Sequence, residues 1–368
     1  VGLVLETVFA RQQELEGQIA GRESGTQTIF AAMQDGLLVV DERCRITLLN
    51  PTFEKLFELR EPAAGVLLVE AVRHATLDQL IVETLRSGEA MRSELSLADS
   101  RTDGERRIEV SAVPIKKADG ALTGAVVLFH DITQLKRLDE IRRDFVANVS
   151  HELRTPLSIL RGYIEMLLDN PKTSREELAR IFSIMERHSK RLGLLVDDLL
   201  SLAQLESPSA RLELGVARVG ELFDNVVRDW REKLTAKNLK VVVDLPSESL
   251  TLRADEARLH EVLYNLLENA VKYSHENGQI LLRGTQRSSD VVLSVSDKGI
   301  GIGKEQLPRI FERFYRVDKG RSRELGGTGL GLAIVKHIAH LHGGRVEAES
   351  QLGHGTTIRV ILPAGEDT

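Results

Sequence analysis

Cysteine is nearly absent from the 368-residue chain, in which Cys44 is the only one. A single thiol cannot form an intramolecular disulfide, and its isolation excludes a cysteine-rich zinc site. Long apolar runs are also lacking, since none approaches the roughly 18–20 residues needed to cross a bilayer. The chain begins with valine instead of methionine. We therefore expect it to be a piece of a longer protein whose upstream part holds membrane helices.

Positive charge is not in excess either, because the formal net charge is -6. This balance argues against a general nucleic-acid-binding protein. Apolar residues make up 42% of the chain and charged residues 28%, which is typical of a globular protein. The length exceeds that of one ordinary hydrophobic core, so roughly two to four domains are expected.

The first part of the chain changes character near residue 27. Residues 1–26 have a helical composition and are predicted to form an N-terminal helical segment. Within 27–134, the stretches 106–114 and 123–130 are β-rich, and Asp119-Gly120 is the predicted hairpin turn between them. A small mixed domain of about a hundred residues is the expected result.

Three short motifs connect 27–134 with a known fold. They are Asp35-Gly36, the predicted helix start at Asn50-Pro51, and Asp131-Ile132-Thr133 at the exit. In combination they resemble a PAS sensor domain, which passes into a signalling helix at such an exit. Asp131 is predicted to cap that helix, with Gln134 completing a capping box.

Residues 135–206 have the pattern of two long helices. Asn170-Pro171 ends the first, and Ser174 with Glu177 forms a capping box for the second. The predicted apolar seams are Val146, Val149, Leu153, Leu157, Leu160, Ile164 and Leu167 in the first helix, and Leu178, Ile181, Met185, His188, Leu192, Leu195, Leu199 and Leu202 in the second. Two helices with a short connection form an antiparallel hairpin. Further apolar residues outside the seams predict a homodimer in which two hairpins form a four-helix bundle.

One histidine of the first helix is placed unlike a core residue. At 100° per residue, His151 lies about 200° from both Val149 and Leu153, so we expect it to face solvent. Thr155 shares its face, and Glu152 is close enough to hydrogen-bond one nitrogen of the imidazole. Such a hydrogen bond would leave the second ring nitrogen free to act as a nucleophile. A surface histidine without function is the competing interpretation.

The segment 145–157 resembles, over its whole length, the H-box of HisKA-type two-component sensor kinases. The resemblance implies that His151 is the phosphoacceptor and Glu152 its general base. It also implies that Thr155 positions water for dephosphorylation of a partner regulator. His188, by contrast, occupies a heptad core position and is expected to be a packed or hydrogen-bonded structural histidine.

Residues 211–368 alternate strands and helices and predict an α/β sandwich. The strands are expected at 239–245, 279–283, 291–296, 345–350 and 356–362. Helices are expected at 219–236, 255–274 and 329–342. A glycine-rich region lies between the third strand and the last helix.

The middle helix of this region carries polar residues on one stripe: Asn265, Asn269, Lys272 and Tyr273. Their steps of four, three and one keep them on one side of the helix. Amide oxygens are suitable ligands for Mg²⁺, and the lysine ammonium suits phosphate. A solvated polar face is the alternative, although asparagine in a helix is costly without a purpose.

Two glycine-rich loops follow. Asp297 opens the first, 297–303, directly after a strand, where its carboxylate can accept a hydrogen bond from an exocyclic amine and glycines let a flat base approach. The second, 326–331, opens a helix whose N-terminus suits phosphate. Between them lie aromatic residues expected to anchor a lid, and Arg316, expected to reach a γ-phosphate. Each loop taken alone is a weak signal.

In order and spacing these parts resemble the N, G1, F and G2 boxes of the GHKL ATPases, a family that includes gyrase, MutL and histidine kinases. The resemblance implies an ATP site in which Asn269 is the main Mg²⁺ ligand, with Asn265 nearby, and Asp297 binds the adenine amine. The implied nucleotide-binding residues are Asn265, Asn269, Lys272, Tyr273, Asp297, Gly299, Gly301, Ile302, Arg316, Gly327, Thr328, Gly329, Leu330, Gly331 and Thr356.

Together the motifs predict a multidomain α+β protein. Its expected parts are a PAS α/β sensor domain, a dimeric four-helix bundle with two helices per chain, and a GHKL-type α/β sandwich ATPase domain. The expected boundaries are 1–26, 27–134, 135–206 and 211–368.

The implied function is that of a sensor histidine kinase, which uses ATP and Mg²⁺ to phosphorylate His151. A response regulator receiver domain is the expected partner, and the chain is expected to be a soluble cytoplasmic portion of a bacterial inner-membrane protein. The alternatives are a GHKL-type ATPase without a phosphoenzyme and an inactive dimeric sensor module.

Two finer points follow from the same residues. Motifs at 314–319 and 329–337 resemble the phosphate-regulon sensor subgroup. The ligand of the PAS domain is unknown from the sequence, since Cys44 and His74 are isolated and are expected to be structural.

Overall fold

The computed structural model describes residues 28, 30–59, 61–99, 104–170, 173–207, 209–246, 250–318 and 327–364. It divides into two compact units, Val1–Asp144 and Phe145–Thr368. The predicted helical segment 1–26 lies outside the described residues.

The first unit is built on a five-stranded antiparallel sheet in the order β2-β1-β5-β4-β3. Its strands are β1 (Gly36–Asp41), β2 (Ile46–Leu49), β3 (Met91–Asp99), β4 (Gly104–Lys116) and β5 (Leu122–Asp131). Its helices are α1 (Pro51–Leu56), α2 (Leu68–Ala71) and α3 (Ala75–Ser87). The predicted Asp119-Gly120 turn joins β4 and β5, and Gly120 has the positive φ of 85° that such a turn requires.

Asn50 organises the start of this unit. It is fully buried, and its side-chain oxygen accepts hydrogen bonds from the N–H groups of Phe53 (2.9 Å) and Leu37 (2.8 Å). Its amide nitrogen donates to the carbonyl of Asp35 at 2.8 Å. One side chain therefore caps α1 and fixes the chain entering β1, which confirms the predicted helix start at Asn50-Pro51.

A long helix, α4 (Thr133–Asp169), begins directly after β5. The predicted capping box is not formed as expected, because Asp131 accepts a hydrogen bond from the N–H of Thr133 (2.9 Å) instead of Gln134. The Thr133 hydroxyl also accepts from the N–H of Arg107 on β4 at 2.9 Å. The first turn of α4 is thus tied to the sheet before it.

The second long helix, α5 (Arg175–Leu205), pairs with α4 in the predicted hairpin. Ser174 caps it by accepting a hydrogen bond from the N–H of Glu177 at 3.2 Å, as the sequence predicts. The predicted seam of α5 is buried or half-buried throughout.

The predicted seam of α4 is only partly covered within one chain. Val146, Leu157 and Ile164 are 56%, 58% and 46% exposed, whereas Val149 and Leu153 are half-buried. A single partner helix covers only one side of α4, so the wider apolar face predicted from the sequence keeps an uncovered stripe.

The sheet of the second unit has the order β11-β12-β10-β9-β7, with β7 parallel to β9 and the other pairs antiparallel. A short ladder, β6 with β8, stands beside it. The strands are β6 (Gly215–Arg218), β7 (Lys240–Asp244), β8 (Thr251–Ala254), β9 (Gln279–Arg287), β10 (Asp290–Asp297), β11 (Arg345–Gln351) and β12 (Gly355–Pro363).

The helices of this sandwich are α6 (Val219–Asp229), α7 (Arg231–Ala236), α8 (Glu256–Tyr273) and α9 (Gly331–Leu341). Helix α8 contacts α6, α9 and β10, and it buries Leu259, Val262, Leu263, Leu266, Leu267, Ala270 and Val271. The hairpin residues Leu195, Leu202 and Leu205 belong to the same hydrophobic core. The C-terminal half of α5 is therefore packed against the sandwich.

Two helices of the sandwich differ in their bounds from the sequence prediction, and strand β9 continues to Arg287, beyond the predicted end at 283. The helix expected over 219–236 is broken at Trp230, whose φ of -96° and ψ of 1° leave the helical region. The break lets both Trp230 and Leu234 turn into the core, where they are 3% and 6% exposed. The last helix begins at Gly331 instead of residue 329, because Gly329 has a φ of 79° that cannot continue a right-handed helix.

Among the described residues, none of the helices combines the length and the apolar content required to cross a bilayer.

Candidate active site

The helical phase of α4 presents His151 to solvent, as the sequence predicts. Thr155 is exposed on the same face, and its hydroxyl donates to the carbonyl oxygen of His151 at 3.1 Å. This bond within one helical turn holds the two residues side by side. The imidazole of His151 is therefore open to an incoming phosphoryl group.

Glu152 is half-buried and lies between two arginines. Its Oε2 accepts hydrogen bonds from Nη2 of Arg191 on α5 (2.9 Å) and Nη2 of Arg316 (3.1 Å). The exposed fractions of the three side chains are 17%, 12% and 7%. The carboxylate thus faces two guanidinium groups, and the general-base role of Glu152 stays a prediction.

Arg316 connects this cluster to the second glycine-rich loop. Its Nη2 also donates to the carbonyl of Thr328 at 2.7 Å. One guanidinium therefore links the helix of His151 to the loop that the sequence assigns to phosphate, and its reach to a γ-phosphate stays a prediction.

The polar stripe of α8 faces the start of α9. The amide nitrogen of Asn265 donates to the carbonyl of Glu261 at 2.9 Å, which orients its Oδ1 toward Gly331. A Cβ at Gly331 would lie 2.5 Å from that oxygen, so a larger residue there would displace the Asn265 amide. Asn269 is half-buried and forms no side-chain hydrogen bond with the described part of the chain.

Lys272 lies near the end of this stripe, close to other cationic side chains. Burial lowers the pKa of Lys272, Glu268 opposes this shift, and the charges of Arg316 and Arg191 lower the pKa further. Three cationic side chains thus lie close enough to interact on the side of α8 that faces the Glu152 cluster. Such a group favours an anion with several charges.

The first glycine-rich loop is anchored by Asp297 at the end of β10. Its Oδ1 accepts a hydrogen bond from the N–H of Gly299 at 2.8 Å. Burial raises the pKa of Asp297, and backbone hydrogen bonds from Gly299 and Thr356 oppose this shift. A Cβ at Gly299 would collide with the carbonyl of Tyr273, so the loop packs directly against the end of α8.

The far side of the same loop is held by Ser350 on β11. Its hydroxyl accepts from the N–H of Ile302 at 2.8 Å and lies 2.9 Å from the Thr356 hydroxyl. Gly301 has a φ of 67° and abuts the carbonyl of Gln351. The structure therefore brings Tyr273, Asp297 and Thr356 to one end of the sheet.

The second glycine-rich loop leads into α9 through a buried Leu330. Gly329 accepts a hydrogen bond from the N–H of Phe314 at 2.8 Å, and its positive φ lets the two backbones meet. Gly327 is half-buried at the start of the described loop. Gly326, which the motif includes, lies outside the described residues.

Thr328 joins this loop to helix α5. Its hydroxyl donates to Oδ2 of Asp198 at 2.6 Å. Burial raises the pKa of Asp198 to about 6, the hydrogen bond from Thr328 opposes this shift, and the carboxylates of Glu268 and Glu261 add to it. Asp198 is thus a destabilised anion at the contact between the hairpin and the loop.

Aromatic and ionic contacts extend this junction. The rings of Phe145 on α4 and Phe314 are 5.8 Å apart, and Arg313 pairs with Glu206 at the end of α5. Phe311 and Phe314 pack against the core, as expected for aromatic anchors of this segment. The hairpin therefore meets the segment that carries Arg313 and Phe314 through both apolar and charged groups.

The residues present fit a magnesium nucleotide. Leu330, which precedes α9, makes no side-chain cap hydrogen bond, so the N–H groups of the first turn remain suited to phosphate. The amide oxygen of Asn265 is a hard donor close to that turn, and Asn269 follows one helical turn later on the same stripe of α8. Asp297 lies at the opposite end of the site, where a carboxylate suits an amine of the base.

Comparisons with known proteins match the three parts of the chain. Residues 254–366 match the family described as histidine kinase-, DNA gyrase B- and HSP90-like ATPase. Residues 141–208 match the His Kinase A (phospho-acceptor) domain, and residues 30–137 match the PAS fold.

Two curated relatives extend over almost the whole chain. Sensor histidine kinase WalK of Bacillus subtilis is 32% identical over 376 residues, with 100% of this chain and 60% of the relative covered. A sensor protein kinase WalK of Staphylococcus aureus is 30% identical, with 99% of this chain and 86% of the relative covered. The chain belongs to the sensor histidine kinases.

A solved histidine kinase has the same fold. The crystal structure of histidine kinase ThkA in complex with response regulator protein TrrA has a TM-score of 0.51 and 24% identity, and covers 90% of this chain and 96% of that chain. The present chain spans about three fifths of the length of the Bacillus relative. Both curated relatives are WalK proteins, so membership of the phosphate-regulon subgroup stays a prediction.

Two contacts of the candidate site are not predicted from the sequence. Arg191 and Asp198 lie on α5 as ordinary polar residues outside the predicted seam. Their partners, Glu152 and Thr328 respectively, are distant in sequence, and periodicity gives the face of a helix but not what packs on it. The charged residues next to the apolar seam of α5 are the only indication of these contacts in the sequence.

Proposed function

We propose that this sensor histidine kinase transfers the γ-phosphoryl group of ATP to His151 and from there to an aspartate of a response regulator. The observation that carries the proposal is the path from His151 to the glycine-rich loop. His151 is exposed, the adjacent Glu152 binds Arg316, and Arg316 binds the carbonyl of Thr328. The acceptor and the candidate phosphate site thus share one cluster.

The proposed reaction is a nucleophilic displacement at phosphorus. A ring nitrogen of His151 attacks the γ-phosphorus, the bond to the bridging oxygen breaks, and ADP leaves with that electron pair. Glu152 takes the proton that the imidazole releases. Lys272 and Arg316 offset the negative charge of the transferred group.

Nucleotide binding is proposed to use the two glycine-rich loops and α8. Asp297 accepts a hydrogen bond from the adenine amine, and the first turn of α9 binds phosphate oxygens. Mg²⁺, when bound, neutralises phosphate charge, with Asn269 and Asn265 as its protein ligands. These roles agree with the half-burial of both amides and with the missing side chain at Gly331.

The proposed partner is the receiver domain of a response regulator. In the second step an aspartate oxygen of the receiver attacks the phosphorus and the bond to His151 breaks. Thr155 is proposed to position a water for the phosphatase reaction, since its hydroxyl lies next to the His151 backbone on the exposed face. That water attacks the phosphorus of the aspartyl phosphate, the bond to the aspartate oxygen breaks, and inorganic phosphate leaves. The signal sensed by the PAS domain is not assigned.

The proposed assembly is a homodimer through the uncovered apolar stripe of α4. Val146, Leu157, Ile164 and Leu168 fall within about 40° of one another around the helix, because they are separated by nearly whole numbers of turns. All four are exposed in the single chain. A second copy of the hairpin, with the same stripe, covers them and completes four helices.

The full-length protein is proposed to be a bacterial inner-membrane protein with this chain as its cytoplasmic portion. The support is that the Bacillus relative is longer than the region matched here. Fractionation of the full-length protein tests this, and its recovery in a membrane-free fraction would contradict it.

Labelling with ATP that is radioactive at the γ-phosphate tests the kinase proposal. The expected label is acid-labile and base-stable, and it is lost in His151→Ala. His340→Ala is the matched control, because His340 is an exposed histidine on α9. A label that survives His151→Ala, or phosphate release without any phosphoprotein, overturns the proposal.

A further inference from the structure

We propose that Arg191 on α5 is a positioning residue for phosphoryl transfer, which holds the Glu152 carboxylate in place when Arg316 exchanges from Glu152 to phosphate. This role rests on the proposed kinase function. It concerns a residue on the second helix of the hairpin, which is not part of the H-box or of either glycine-rich loop in the sequence.

The geometry of the cluster gives one oxygen two cationic donors. Glu152 Oε2 lies 2.9 Å from Arg191 Nη2 and 3.1 Å from Arg316 Nη2. All three side chains are largely removed from water, so the pairing is stronger than that of an exposed ion pair. Glu152 is therefore oriented by two partners at once.

The two donors belong to different parts of the unit. Arg191 is on α5, which pairs with α4 along the hairpin, so its distance to Glu152 is set by helix packing. Arg316 is on the segment after Phe314 and also binds the Thr328 carbonyl of the glycine-rich loop. Arg316 is thus the donor placed to follow the nucleotide, whereas Arg191 stays with the helix of His151.

Because the two arginines belong to different segments, Glu152 keeps one cationic partner when the other moves. A half-buried carboxylate that loses its only cation is strongly destabilised. If Arg316 turns to the γ-phosphate, Arg191 remains as a partner of Glu152. The carboxylate then keeps one cationic partner, and so a fixed orientation on α4, while the phosphoryl group is transferred.

Lys272, a proposed nucleotide-binding residue, favours the movement of Arg316 from Glu152 to phosphate. The charges of Arg316 and Arg191 both lower the pKa of Lys272, after burial as the main cause, so the three cations lie within electrostatic reach. An incoming triphosphate relieves this repulsion. Nucleotide therefore favours the movement of one guanidinium from Glu152 to phosphate.

The test is the rate of His151 labelling in Arg191 variants of the full chain. Arg191→Met removes the charge, Arg191→Gln keeps one donor, and Arg191→Lys keeps the charge with a single point of contact. The matched control is Arg187→Met, one turn earlier on the same helix, where the side chain is exposed. Each rate is measured over a range of ATP concentrations.

We expect Arg191→Met to lower kcat by about tenfold or more while KM for ATP stays within about twofold, because orientation of a catalytic group is lost and nucleotide contacts are kept. Arg191→Lys is expected to recover part of kcat. In a Glu152→Gln background, Arg191→Met should add little, since both residues act through the same carboxylate. A merely structural role would lower the melting temperature without this pattern.

Labelling of Arg191→Met at the rate of Arg187→Met overturns the positioning role, as does a full additional loss in the Glu152→Gln background. If Arg191→Met fails to fold, Arg191→Gln is used to test the positioning role. A wild-type kcat in that variant overturns the role. An unlabelled wild-type chain instead overturns the kinase proposal itself, and the positioning role with it.

Discussion

The two units contain ion pairs of opposite character. In the first, His130 at the end of β5 binds Asp35 at 2.7 Å, with side chains 60% and 41% exposed. In the second, Glu152 binds two arginines and all three side chains are largely buried. Water screens the first pair and not the second, so similar distances have different energetic meaning.

The comparison teaches where each unit responds to change. An exposed pair contributes little stability, but Asp35 raises the pKa of its histidine, so the pair responds to pH. Removing one member of a buried cluster costs more, because an unpaired charge is left away from water. The largest expected effects therefore lie where the hairpin contacts Arg316 and Thr328.

Removal of the Glu152 carboxylate should give the largest effect. Glu152→Ala leaves two buried guanidinium groups without their shared anion, and the expected loss is about 3–5 kcal/mol in the free energy of unfolding. Chemical denaturation measures this. Glu165→Ala is the control, because Glu165 pairs with Arg161 on the exposed face of the same helix and should cost about 0.5 kcal/mol or less. Equal losses in both variants would remove the distinction.

Asp198 provides a second buried anion, and its effect should depend on pH. Its pKa is raised from 3.8 to about 6, so its contribution to the stability of the folded unit is fully present only below about pH 3.8. This stability is lost as the pH rises through about 6. Asp198→Asn keeps an acceptor for Thr328 without the charge, so it should be more stable at pH 7 by on the order of 3 kcal/mol.

Melting temperatures between pH 4 and 8 measure that effect, with Asp224→Asn as the control at an exposed position on α6. A decline with pH that persists unchanged in Asp198→Asn would assign the dependence to another group.

His188 extends the comparison to a buried atom without a partner. Its Nδ1 is buried and unsatisfied within the described residues, although a packed or hydrogen-bonded core histidine is predicted. Burial, with Arg187 and Arg191, lowers the pKa of His188 from 6.5. Stability is therefore present above about pH 6.5 and lost as the pH falls through the folded pKa.

His188→Leu should raise the free energy of unfolding by about 1–3 kcal/mol, because it removes an unsatisfied polar atom from the core. It should also reduce the loss of stability at acidic pH. Urea denaturation at pH 5 and 8 measures both effects, with His340→Leu as the exposed control. Destabilisation at pH 8 would show that the ring has a partner in the assembled protein.

The exposed pair should give the smallest effect. Asp35 raises the pKa of His130 above 6.5, through a hydrogen bond and then by charge, with Glu109 and Asp131 adding to the shift. The pair therefore stabilises the first unit below about pH 6.5, and this is lost as the pH rises through the folded pKa. Asp35→Asn should cost about 0.2–1 kcal/mol at pH 6 and nothing near pH 9. A larger cost at pH 9 would contradict a purely ionic role.

Much of the second unit follows from local rules. The period of α4 places His151 in solvent, Ser174 caps α5, and Asp297 ends a strand before a glycine turn, all as the sequence indicates. These features depend on residues close in sequence, where spacing determines geometry. The predicted start of α9 is wrong by two residues because the conformation of Gly329 depends on its contact with Phe314.

Contacts across the chain are not predictable in the same way. The direction of the Glu152 side chain depends on Arg191 and Arg316, which reach it from another helix and from a loop. The break at Trp230 depends on the burial of a large ring by neighbouring elements. In each case tertiary packing selects one conformation among several that the local sequence allows.

The contact between Asn265 and Gly331 has an evolutionary consequence. The amide oxygen lies where a Cβ of residue 331 would have to stand. A larger residue at 331 therefore requires the Asn265 amide to move or the side chain at 265 to be shorter. A change at 331 should accordingly be accompanied by a change at 265 in descendants of this gene, although the two positions lie on different helices.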